Sequence, residues 1–271
     1  MGAGTGASGN ADGDAAFGGS GAPPTAERGR GDRLSVGVAA HVREFLREPV
    51  HVVLLLALPP LVVEGYGRAM ASFPALPHLT AVPATLGRVN GAVFAAAFLA
   101  GLIGLFQVVS AVQADGRLAV CGFSRADLFV SRLGTVLAVS ACSAAVTFAA
   151  LWWRVDVAAP TAAFGALVLA ALTYGLIGVL VGTLLPRELE GSLVLVFLAD
   201  FDDFLASGVV DVDSPAVNLL PLHYPHALFR AAVLDGSVPT GDVLAGLAYL
   251  AVLFVAVLGA YVRLASGGEG A

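Results

Sequence analysis

The chain has 271 residues, 58% hydrophobic and only 13% charged, with a mean hydropathy of +0.86 and a formal net charge of −6. A soluble domain carries roughly 25% charged residues, so this composition excludes one and defines an integral membrane protein. All fourteen basic residues are Arg, which rules out a G-x-x-x-x-G-K-[ST] phosphate loop and a retinal or pyridoxal Schiff base.

Residues 1–33, rich in Gly, Ala, Ser and Asp, read as a disordered cytoplasmic tail with no signal-peptide core. From Leu34 to Glu48, Leu34, Val38, Val42, Phe45 and Leu46 recur at helical spacing while Arg43, Glu44, Arg47 and Glu48 group opposite. That pattern predicts an amphipathic helix lying along the membrane and ended by Pro49.

A bilayer core about 30 Å thick needs roughly 20 apolar residues to cross. Six stretches qualify: 50–67, 89–113, 133–153, 161–185, 189–208 and 244–263. The predicted fold is therefore an all-α membrane protein of six transmembrane helices, occupying 34–264, with a short cytoplasmic tail at 265–271. Pro59 and Pro60 predict a kink in the first span, which is short enough to be expected to continue past Gly67, and the acidic run "DFDD" makes the fifth the weakest.

Six spans leave both termini on one side. Cytoplasmic termini place Arg28, Arg30, Arg33, Arg43, Arg47, Arg117, Arg125, Arg132, Arg187 and Arg263 inside, and only Arg68, Arg88, Arg154 and Arg230 outside. The excess of basic residues on cytoplasmic loops selects this orientation. Small residues Gly175, Gly178 and Gly182 in the fourth span, with Ala97, Gly101 and Gly104 in the second, predict a close helix–helix seam. Cys121 and Cys142 have no disulfide or metal spacing and read as packing residues.

Two connections carry candidate functional residues. The inner one, Gln113–Gly134, reads as a short apolar helix flanked by Asp115, Gly116, Arg117, Gly122, Phe123, Arg125 and Arg132, with a capping box at Ser124–Asp127 opening the third span. The outer one holds "PLHYPHAL", where Pro225 is expected to open a helix that leaves His223 outside. His223, Tyr224 and His226 are expected at headgroup level; the alternative is a metal site of the two histidines with Asp211 or Asp213.

In layout the sequence resembles the ABC-2 type transporter permeases, the membrane subunits of archaeal or bacterial type-2 ABC exporters. The resemblance rests on the interfacial helix "HVREFLREPV", the inner loop "ADGRLAVCGFSRADLFVSRL" and the outer segment "NLLPLHYPHALFRAAVLDG", and covers roughly residues 34–264. It implies a multi-pass plasma-membrane permease that binds no cofactor itself. A separate ATPase subunit would hold ATP and Mg, docking on Asp115 to Arg132, and a second permease subunit would complete a homo- or heterodimer. No nucleic-acid partner is expected. The resemblance also implies short re-entrant helices on the outer side after span five.

Asp200, Asp202 and Asp203 then fall in the outer half of the membrane. Helical geometry groups Asp200 and Asp203 on one face with Asp202 roughly opposite. Three roles stay open for them: solvated or Arg-paired carboxylates, with Arg230 and Arg154 as partners; a cation or substrate contact; and a proton relay. Glu64, near the outer end of span one, is either a vestibule residue or a packing partner. The competing functions are an intramembrane metal-dependent enzyme built on the aspartates and a non-catalytic membrane assembly factor.

Overall fold

The computed structural model describes residues 49–74, 81–120, 125–185, 187–208 and 214–267. The interfacial helix, with Arg43, Phe45 and Arg47, lies outside the described residues, as do the 1–33 tail and the last residues, 268–271. All regular structure among the described residues is helical. The elements in order are α1 (Pro49–Ala71), α2 (Pro83–Val120), α3 (Arg125–Trp152), α4 (Pro160–Leu184) and α5 (Glu188–Ala206). A 3₁₀ turn (Pro215–Leu219), α6 (His223–Arg230), a π-helical turn (Ala231–Asp235) and α7 (Thr240–Gly267) follow.

Five of these helices, α1, α2, α3, α4 and α7, are long and apolar enough to cross a membrane. The α5 helix falls outside that group. Its 19 residues suffice in length, but it carries Glu188, Glu190, Asp200, Asp202 and Asp203, too many charges for such a span.

The first helix does continue past Gly67, as expected, and runs to Ala71 with Pro59 and Pro60 inside it. Other boundaries differ from those read off the sequence. The second runs unbroken to Val120, so the separate short helix expected in the inner connection is instead the end of α2. Ala, Gln, Leu and Arg in "QADGRLAV" are good helix formers, and a helix leaving the bilayer has no reason to stop at its surface. The last helix reaches Gly267, into the stretch expected as a tail.

Packing centres on α2 and α4, whose apolar windows are 72% buried, against 11% for α7. α2 packs most extensively on α4 and next on α1. The α2–α4 seam is made of glycines, as their spacing predicts. A Cβ on Gly178 would strike the Gly101 carbonyl oxygen, and one on Gly104 would strike that of Gly175. Two backbones that close give helices in lipid the dispersion contact that the hydrophobic effect cannot supply between them.

The third helix is tied in by hydroxyls: Ser143 Oγ donates to the Ala96 carbonyl at 3.2 Å and Ser140 Oγ to that of Ala171 at 3.3 Å. Gly191, Leu195 and Ala199, spaced one turn apart, form the buried face of α5. Leu195 reaches Gly101 of α2.

Candidate functional site

The buried face of α5 continues from Ala199 into Asp202 and Asp203, both fully enclosed. This corrects the pairing expected from helical geometry. The core-facing stripe is broad enough to take two consecutive residues, and it is Asp200 that turns outward, with Phe197, Phe201 and Phe204.

Asp202 is held from two directions. Tyr174 of α4 donates its hydroxyl to Oδ2 at 2.6 Å, and the Leu222 backbone N–H, just before α6, reaches both oxygens at 3.0 and 3.2 Å. Tyr174 Oη also lies 3.3 Å from the Leu198 carbonyl of α5. Tyr249 of α7 is close enough to the same carboxylate to interact with it electrostatically.

Asp203 Oδ1 is hydrogen-bonded to His226 Nε2 of α6 at 2.8 Å, both side chains buried. Tyr66 of α1 faces Asp203 and Asp200. Its ring stacks on Phe94 at 5.7 Å between centroids, and Phe94 on Phe98 at 5.5 Å. Two carboxylates and one imidazole, with tyrosines of three other helices nearby, thus form a polar knot inside a largely apolar bundle. A buried carboxylate is tolerable only when donors surround it, and phenol, amide and imidazole supply them here.

The partners differ from those expected. Arg154 pairs with Glu64 and with none of the three aspartates. Arg230 lies with its guanidinium against Gly208, a residue held at φ +70° just beyond the end of α5, and makes no ion pair with an aspartate among the described residues. His223 is the first residue of α6, with Pro225 in the first turn, so the helix opens two residues earlier than expected. His226 is buried against Asp203. His223 stacks edge-on against Tyr224 at 5.0 Å.

Glu64 forms a second, separate cluster with arginines at the ends of three helices. Its Oε1 takes Arg68 Nε at 3.2 Å, while Oε2 faces Arg88 Nε at 3.4 Å and Arg154 Nε at 3.8 Å. Arg88 comes from the start of α2 and packs over Gly67 of α1.

Of the residues expected to couple to an ATPase, Asp115, Gly116 and Arg117 lie on the last turns of α2, and Arg125 and Arg132 on the first turns of α3. Gly122, Phe123 and the capping residue Ser124 lie outside the described residues. No group of three or more His, Cys, Asp or Glu side chains among the described residues is placed to hold a metal ion. Asp202 has both oxygens committed to protein donors.

Sequence reading missed Tyr66, Tyr174 and Tyr249. A signal for Tyr174 existed: "ALTYGLIG" sets one phenol on the glycine face of a buried helix, and a buried tyrosine hydroxyl requires a partner. No protein-family model matches the chain, and no curated protein matches it.

Proposed function

We propose that the chain is the membrane-spanning permease subunit of an ABC transporter of the ABC-2 type, moving its substrate across the plasma membrane with ATP hydrolysed by a separate subunit. The observation that carries this reading is the length of α2. Its 38 residues extend about 57 Å at 1.5 Å per residue, against a bilayer core of about 30 Å. One unbroken rod therefore joins the Asp115–Arg132 connection to the middle of the bundle. There its glycines meet α4 backbone to backbone.

Displacement of that rod by a nucleotide-driven partner would shift α4, and Tyr174 would carry the shift to Asp202 and the Leu222 turn. Rigid elements joined by such bistable contacts are the means by which transporters change access. In this reading both termini are cytoplasmic and α5 is the fifth of six spans. The turn-and-helix segment 215–235 is re-entrant on the outer side, and Asp203–His226 borders the substrate path. Ionisable groups at membrane depth mark such paths. The apolar outer faces of α1 and α7 are available to lipid and to the second permease subunit.

The test is co-purification. The wild-type chain is expected to bring down an ATPase subunit from its native membrane, and a variant with Arg117–Arg132 rewritten as Gly/Ser is expected to lose it. An ATPase retained by that variant overturns the coupling role, and none with the wild type overturns the permease reading.

A further inference from the structure

The Glu64 cluster is unbalanced. Three guanidiniums share one carboxylate, leaving an excess of two positive charges where the C-terminal ends of α1 and α3 meet the start of α2. In all three contacts it is the Nε edge that faces Glu64, and the terminal Nη forks have no partner among the described residues. A guanidinium fork matches two oxygens of one anion. Asp156, close in sequence to Arg154, is exposed and ion-paired to none of the three.

The surroundings indicate which anion. Trp152 and Trp153, directly before Arg154, are 51% and 84% exposed, and Phe73 is exposed just beyond the end of α1. Exposed tryptophans at the end of a spanning helix sit at headgroup level. The arginines beside them therefore meet the phosphates of lipids. Arg68 and Arg154 are the two most exposed of the three, at 79% and 56%.

We propose that Arg68, Arg88 and Arg154, gathered by Glu64, form a binding site for the phosphodiester headgroup of an anionic phospholipid. Glu64 holds the three side chains together by their Nε edges, so the forks need no reordering when the headgroup arrives. The proposal requires only that these helices cross a membrane and does not depend on the transport reading.

The protein carries its own reporter, because Trp152 and Trp153 are its only two tryptophans. The full-length chain in neutral detergent micelles is titrated with brominated phosphatidylglycerol or brominated phosphatidylcholine, whose bromines quench tryptophan fluorescence on contact. Half-maximal quenching is expected at a mole fraction of the anionic lipid roughly fivefold lower, the effect of about one basic side chain at an anionic surface. The Arg68→Gln/Arg154→Gln double variant, altered at exposed positions, is expected to quench equally with both lipids. Arg187→Gln, an exposed arginine paired with Glu190 far along the chain, is expected to keep the preference.

Equal quenching of the wild type by the two lipids overturns the proposal, as does a preference that survives in the double variant. Reversal of the quenching by inorganic phosphate, at ionic strength matched with chloride, overturns the lipid as the source and assigns the site to a soluble phosphate.

Discussion

Asp200, Asp202 and Asp203 are neighbours in sequence with unequal surroundings, and their substitution should separate accordingly. Tyr174→Phe removes one donor from Asp202 but leaves the Leu222 N–H in place, so a loss of about 1 kcal/mol is expected. Asp202→Ala leaves the buried Leu222 amide without its acceptor and Tyr174 with only the Leu198 carbonyl at 3.3 Å, and about 3 kcal/mol is expected. Asp200→Asn, on the outward face, is expected within about 0.5 kcal/mol of wild type. Unfolding midpoints in mixed detergent micelles measure all three, and equal losses at Asp200 and Asp202 would contradict the assigned faces. The sequence made the acidic run conspicuous, since carboxylates are costly in an apolar helix, but it could not pair them. Tyr174 lies 28 residues from Asp202 and His226 lies 23 from Asp203. Such pairings arise from helix docking and leave no mark in local periodicity. Arginine was the natural partner to expect, and the three arginines near Glu64 are gathered by that residue instead.

Elements were more legible than contacts. Five apolar runs became helices long enough to span, because a backbone in lipid must satisfy its own hydrogen bonds and helix formation does so locally. An end was misread where that constraint lapses: α2 runs on to Val120, taking in the expected separate inner helix. The glycine seam was legible because close approach requires small residues at fixed spacing, and it can be tested at single positions. Gly178→Ala places a methyl against the Gly101 carbonyl, whereas Gly165, on the same helix, has open space around its added Cβ. Gly178→Ala should therefore cost about 1 to 3 kcal/mol, the usual range for overpacking. Gly165→Ala should be neutral or stabilising by up to about 1 kcal/mol through helix propensity. Micellar unfolding of the pair distinguishes a packed seam from a general dislike of side chains at these glycines. Comparable behaviour would mean that α2 and α4 do not touch as described.

At the scale of the whole molecule, orientation links the described bundle to the proposed coupling, and the arginines speak to it in two ways. Ten of fourteen fall on one side of the six-span reading and four on the other, which favours the Asp115–Arg132 end in the cytoplasm. Three of the four exceptions are Arg68, Arg88 and Arg154, which share Glu64, so most of the apparent violation is one structured site and not a diffuse positive surface. The chain's own cysteines allow a direct test. Cys121 falls within the connection between α2 and α3, and Cys142 lies inside α3 on an exposed face. With Cys142→Ser as background, a membrane-impermeant maleimide is expected to label Cys121 in inside-out vesicles but not in intact cells. Ser72→Cys in a Cys121→Ser/Cys142→Ser background, beyond the end of α1, is expected to show the reverse. Labelling of Cys121 from outside would put the Asp115–Arg132 end beyond the reach of any cytoplasmic ATPase. It would leave α2 as a long rod with nothing to move it, while the aspartate–tyrosine–histidine knot and the arginine cluster would keep their geometry with the sides exchanged.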